Sequence, residues 1–186
     1  MRYSKQHKKV TRQRIVEIAS NRFRKEGLNT VGVASLMADA GLTHGGFYNH
    51  FSSKEDLIEE ALSSAAQASL DQSLRDFETG GIAQFIRSYL RTAHRDHPET
   101  GCSIAALAGE LPRHSKTTRE VFTKNVNGLI SLIESRLSKP DPDVARAICA
   151  TLVGTLQLAR AVSDKKLSDH ILKAGEKAAI GLSQAR

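Results

Sequence analysis

The chain has 186 residues, 27 Lys and Arg against 20 Asp and Glu, a net charge of +7 and a pI near 9.6. That length allows one or two domains with ample core, and two cysteines, Cys102 and Cys149, make no disulfide framework and suit a reducing cytoplasm. No membrane span is expected: the start, MRYSKQHKKV, meets no apolar signal core, and the most apolar later stretch, 145–162, is broken by Arg146, Thr151, Thr155, Gln157 and Arg160.

The positive charge is uneven. Residues 1–56 hold ten bases and five acids, and within 1–25 nine bases face a single acid, Glu17. Such clustering is the electrostatic footprint of a nucleic-acid surface when a folded amphipathic segment follows it.

Helical periodicity dominates, and about nine helices are expected with no alternating strand pattern. The first covers residues 11–26, with Thr11 as N-cap, Ile15, Ile18, Ala19 and Phe23 inward, and Gly27 as its stop. The second covers 33–40, and Gly41 sits where a helix end needs positive φ. Thr43 caps a short third helix whose Phe47 and Phe51 lie one turn apart. Ser53 and Asp56 form a capping box opening a fourth helix that reaches residue 77. Gly80-Gly81 separates it from a fifth at 82–96, and Gly101 precedes a sixth at 102–111. A seventh spans 116–137. Asp141-Pro142 starts an eighth that buries Ala145, Ile148, Cys149, Leu152, Leu156 and Ala159. Ser168 caps a ninth with a small-residue face of Ile171, Gly175, Ala178 and Leu182. The fold class expected is therefore all-α: an N-terminal three-helix domain at 1–56, joined without a flexible linker to a larger helical domain at 57–186.

Two helices joined by a tight Gly41-Leu42-Thr43 turn inside a basic segment form the layout of a helix-turn-helix DNA reader. With Phe47 and Phe51 inward, Gly45 and Asn49 point outward, flanked by Gly46 and Tyr48. Two glycines in so short a helix cost roughly 1 kcal/mol each in propensity, a cost that makes sense if backbone must approach a groove floor. Tyr48 and Lys54 can meet phosphates, and His44 and Asn49 can meet base edges.

The block 15–57 resembles the DNA-binding domain of the TetR/AcrR family of bacterial transcriptional regulators. The likeness rests on Ala40-Gly41-Leu42-Thr43, Phe47-Tyr48-Asn49-His50-Phe51 and Ser53-Lys54-Glu55. It implies that Thr43, Tyr48, His50 and Lys54 bind phosphates, and that His44, Gly45 and Gly46 approach base edges. One departure is that Val31-Gly32 stands where the family often has Thr or Ser ahead of the second helix; Thr30 lies close by. The resemblance also implies a C-terminal ligand-binding region and a homodimer through the last two helices. Independently, their Ala/Leu stripes suit close helix approach, which nominates Leu152, Leu156, Ala159, Ile171, Gly175, Ala178 and Leu182 as interface.

Helices five to eight could enclose an effector pocket lined by Phe85, Ile86, Tyr89, Leu90, Leu107, Phe122 and Val126, although each suits an ordinary core. Cys102 follows Gly101 at an expected helix N-terminus, where the dipole favours thiolate. Some regulators of similar sequence sense electrophiles or oxidants with a cysteine placed so; a packed small side chain is the plainer alternative. His94 and His97 share a helix face, but no further ligand accompanies them and no metal or other cofactor is expected. The function expected is a regulator, a repressor foremost, that binds a palindromic operator in double-stranded DNA as a homodimer and is released by a small-molecule or electrophile effector. The alternatives are an architectural DNA binder without an effector, or a helical-bundle enzyme, for which no paired acids, nucleotide loop or triad is present.

Overall fold

The computed structural model describes residues 5–184, so the first four residues of the basic run and the last two lie outside it. The described chain is all-α: α1 (Lys5–Glu26), α2 (Val33–Asp39), a 3₁₀ segment (His44–Asn49), α3 (Lys54–Tyr89), α4 (Thr92–Asp96), α5 (Ser103–Leu107), α6 (Lys116–Glu134), α7 (Pro142–Ala161) and α8 (Lys165–Gln184). Two further 3₁₀ turns, Pro98–Thr100 and Leu111–Arg113, flank α5.

Several ends follow the expected punctuation. Asp141 accepts hydrogen bonds from the N–H groups of Asp143 and Val144, and Pro142 opens α7. Ser53 accepts from the Asp56 N–H at 3.1 Å, but the return bond of the capping box comes from the Ser52 N–H, 2.9 Å from Asp56 Oδ2.

The break expected at Gly80-Gly81 is present, since both residues leave helical geometry (Gly81 at φ 65°) and divide α3 into two helical limbs that meet at a kink. Other ends differ. Thr11 is no cap, because the helix-favouring Gln and Lys residues before it carry α1 back to Lys5. The break expected at residue 96 comes earlier, at Leu90 and Arg91, where the chain turns back and buried Arg95 reaches Asp169 Oδ1 at 2.6 Å. Gly109 and Pro112 confine the sixth expected helix to Ser103–Leu107. Asp164, not Ser168, caps α8; the buried Ser168 hydroxyl instead donates to the Ala159 carbonyl at 2.6 Å.

Two apolar cores result. The first gathers Ile15, Ala19 and Phe23 of α1, Leu36 and Met37 of α2, Phe47 and Phe51, and Leu57–Leu62 of α3, together with Leu107 and Leu111 from far along the chain. It therefore extends past residue 56. The second joins Phe77, Phe85 and Tyr89 of α3 to Leu129 and Ile133 of α6 and to the inner faces of α7 and α8.

Candidate nucleic-acid interface and effector cavity

The turn between α2 and the 3₁₀ segment is a Schellman motif: Gly41 N–H donates to the Ala38 carbonyl and Leu42 N–H to that of Met37. Gly41 takes φ 69°, a conformation costly for any residue with a Cβ. The chain is thereby reversed into His44–Asn49. This stretch is 3₁₀ rather than α because Gly45-Gly46 weakens a segment of only six residues. Phe47 and Phe51 are buried and stacked, 5.4 Å between centroids, with the Arg12 guanidinium 4.2 Å above the Phe51 ring.

Seated this way, the segment presents Thr43, His44, Gly45, Tyr48 and Asn49 to solvent, and Tyr48 is 68% exposed. A Cβ on Gly45 would meet nothing within 4 Å, so packing gives no reason for that glycine. Gly46 is half-buried over Met37. His50 is half-buried with an unpartnered Nδ1; desolvation, then the charges of Lys8 and Arg12, lower its pKa.

Lys54 is placed differently from the free phosphate ligand that the resemblance implies. Its ammonium donates to the Leu28 carbonyl at 2.6 Å, tying α3 to the loop after α1. Among the N-terminal bases, Arg12 pairs with Glu60, and Arg22 with Glu26 and Asp39. Lys8, Lys9 and Arg14 are exposed on α1.

That same loop is clasped by a residue far along the chain, between Leu107 and Leu111 of the same core. Glu110 accepts from the Leu28 N–H at 3.0 Å and from the Asn29 N–H and side-chain amide at 3.3 Å. Glu55, one residue after Lys54, meets His114 Nδ1 at 2.9 Å and accepts from the Thr118 hydroxyl. Sequence reasoning missed Glu110 and could not have found it, since 82 positions separate it from Leu28.

A cavity of about 100 Å³ lies between both limbs of α3, residues 100–104 and α6. Phe85, Tyr89 and Cys102 line it, with Leu70, Ile104 and Leu129. Phe122 does not: it packs between the two cores, and Ile86, Leu90, Leu107 and Val126 likewise belong to packing. Cys102 is a free, buried thiol. His94 donates from Nδ1 to the Tyr89 carbonyl at 2.6 Å and accepts the Cys102 N–H on Nε2 at 2.9 Å. Both ring nitrogens are thus engaged, and burial lowers its pKa to about 4, so the imidazole is neutral. Among the described residues, no group of three or more His, Cys, Asp or Glu could hold a metal ion, and no helix is long and apolar enough to cross a membrane.

The residues nominated for a dimer interface divide in two. Leu152, Leu156, Ala159 and Gly175 are buried where α7 packs on α8 within one chain; a Cβ on Gly175 would collide with Thr155. They are core, because their helical face is the one that the second apolar cluster covers. Ala178 is exposed, and Ile171 and Leu182 are half-buried. Outward on the same helices stand Leu158, 59% exposed, and Leu167, 47% exposed.

A helix-turn-helix seated on two phenylalanines and backed by a helical bundle defines a class of DNA-binding protein. Residues 15–61 match the family model described as bacterial regulatory proteins, tetR family. The HTH-type transcriptional regulator AcrR of Shigella flexneri is 36% identical over 59 residues, which are 32% of this chain and 27% of that protein. TtgR of Pseudomonas putida is 34% identical over 64 residues, 34% of this chain and 30% of that protein. The matched segment thus spans less than a third of either curated relative. The whole fold is similar to that of a TetR-family regulator from Cytophaga hutchinsonii (TM-score 0.79, 18% identity, all of both chains). It is also similar to reduced E. coli NemR (TM-score 0.77, 18% identity, 92% of this chain and 96% of that one). Residues 15–61 thus form a tetR-family DNA-binding segment, and the proteins described by that model are bacterial regulatory proteins.

Proposed function

We propose that this protein is a cytoplasmic transcriptional repressor that binds a palindromic operator as a homodimer and releases it when an effector enters the cavity beside Cys102. The observation that carries the reading is the exposed Gly45–Asn49 stretch, held outward by the buried Phe47 and Phe51. In it, Thr43, Tyr48 and His50 meet phosphates, and His44, Gly45, Gly46 and Asn49 approach base edges. Lys54 serves by fixing the start of α3 against the Leu28 loop.

The dimer forms through the outer faces of α7 and α8, where exposed Leu158, Leu167 and Ala178 continue into half-buried Ile171 and Leu182. An apolar stripe with small residues suits close approach by a second copy, and two copies place two reading segments in successive major grooves, roughly 34–36 Å apart. The segment up to about residue 56 then serves DNA, and 57–186 the effector and the partner subunit. An effector acts by binding better to the conformation that does not fit DNA. The Glu110 clasp on residues 28 and 29 is the connection through which the cavity segment biases α1.

Selection of bound genomic fragments tests the reading: a palindrome is expected, and sequence-blind, steeply salt-dependent binding would point to an architectural DNA binder instead. Tyr48→Phe is expected to weaken all sequences alike, while His44→Ala and Asn49→Ala change preference among them. Equal effects from all three would remove direct readout by those side chains. Alkylation of the Cys102 thiol, an S–C bond replacing the S–H bond, is a second route to release. If an electrophile lowers operator affinity equally in the wild type and Cys102→Ser, that route is excluded.

A further inference from the structure

We propose that the effector cavity takes a small carboxylate, one of whose oxygens accepts a hydrogen bond from the Tyr89 hydroxyl. The inference rests on the cavity being the effector site, and it adds the chemical class of the ligand.

Tyr89 lines the cavity at 6% exposure, and its hydroxyl has no oxygen or nitrogen partner, only the weakly bonding thiol of Cys102 beside it. Leaving a buried hydroxyl without a strong acceptor is costly, so a donor in this position is most readily explained by an acceptor that arrives from outside. Burial, first, and then the neighbouring Cys102 raise the Tyr89 pKa, which keeps the phenol protonated and able to donate.

The electrostatics around it specify the acceptor. Arg160 spends Nε and Nη2 on the carbonyls of Arg95 and His94, while its buried Nη1 has no partner. Arg24 of α1, 9% exposed, bonds Asn21 through Nη2 and leaves Nε unpartnered. Neither guanidinium has a carboxylate in salt-bridge contact, and both lie within electrostatic reach of Cys102, as Arg160 does of Tyr89. The acids nearest to them are committed elsewhere: Asp96 pairs with Arg95 and Glu99 with His97. Of the charged side chains at the lining itself, Asp76 accepts from Gln72 Nε2 at 3.2 Å and Arg91 carries the opposite charge. His94 is neutral with both nitrogens engaged, so it neither supplies nor competes for the charge. Asp96 and Glu99 offset part of this charge from a distance, but neither contacts a guanidinium, so buried Arg24 and half-buried Arg160 leave the Tyr89 and Cys102 end of the cavity electropositive, a field that favours an anion.

Size and lining set the rest of the ligand. An enclosed cavity of roughly 150 Å³ holds benzene, so about 100 Å³ here suits a chain of a few carbons. Phe85, Ile104 and Leu129 supply apolar wall for it.

Calorimetric titration of the full chain with sodium butyrate and with butyramide tests this. Butyrate is expected to bind, with butyramide at least about tenfold weaker because it lacks the charge. Tyr89→Phe is expected to weaken butyrate about tenfold while the melting temperature of the ligand-free protein stays level or rises, since a hydroxyl without a strong acceptor has been removed. Equal binding of acid and amide, unchanged binding in Tyr89→Phe, or no butyrate binding at millimolar concentration each overturns the proposal. Operator affinity measured on the same preparation separates the two readings. Palindrome binding without butyrate binding ends the carboxylate proposal alone, and butyrate binding without palindrome binding ends the repressor reading.

Discussion

The reading segment and the cavity invert each other's polarity. In His44–Asn49 the aromatic side chain of Phe47 is buried and the polar groups face solvent. Around Cys102 the polar groups of Tyr89, Arg24 and Arg160 are buried with unpartnered atoms, and the apolar residues serve as wall. A surface that must meet phosphate needs its donors wet until the partner arrives. A cavity that must discriminate among small molecules keeps its donors dry, where each unmet hydrogen bond weighs most. On the proposed function, exposed donors mark the reading segment, His50 Nδ1 apart, and unpartnered buried donors mark the cavity.

The comparison can be broken most forcefully at the aromatic seat. Phe47→Ala should cost about 3–5 kcal/mol by emptying a fully buried position, measured by denaturant unfolding. A cost near zero would mean that the reading segment is not seated as described.

The cavity side is sharpened by pH. The folded-state pKa of His94 lies near 4 against an ordinary 6.5. Between those values the unfolded chain takes up a proton that the folded one refuses. The His94 contribution is therefore intact above about pH 6.5 and lost as pH falls towards 4, reaching about 3 kcal/mol. Stability measured across that window should fall less steeply in His94→Gln; identical slopes would place the acid sensitivity elsewhere.

A smaller effect is expected where the two regions touch. Glu110→Ala strands the Leu28 and Asn29 N–H groups and should cost about 1–3 kcal/mol, with a weaker response of operator affinity to any cavity ligand. An unchanged response would show that coupling does not pass through the clasp.

The smallest change in stability belongs to Gly45→Ala. Its Cβ enters open space, so unfolding free energy should shift by no more than about 1 kcal/mol, while operator affinity drops in a gel-shift assay. Full retained affinity would remove the close backbone approach.

What could be read in the sequence follows from how local each feature is. The reading segment is consecutive, so its turn glycine, its two phenylalanines and its exposed positions were all visible in the spacing. Helix ends marked by Asp141-Pro142 or Gly41 were visible for the same reason. The break at Leu90–Arg91 was not, because the contact accompanying it, Arg95 to Asp169, spans 74 positions. The fate of Lys54 was hidden likewise, since its acceptor is the Leu28 carbonyl in another loop. The cavity draws on both limbs of α3, residues 100–104 and α6, and nothing periodic in the chain brings those together; Phe122 looked as eligible as Phe85. For the last two helices the stripe was legible, but which side of it a helix neighbour within the same chain would cover was not.

The presence of Leu107 and Leu111 in the first core has a practical consequence for chimaeras. Cutting after the family-matched segment, at residue 61, would strip two leucines and the Glu110 clasp from the piece being transplanted. A graft of this DNA-reading head onto a foreign sensor would need a surrogate for the 107–111 strap, or it would arrive with an open flank.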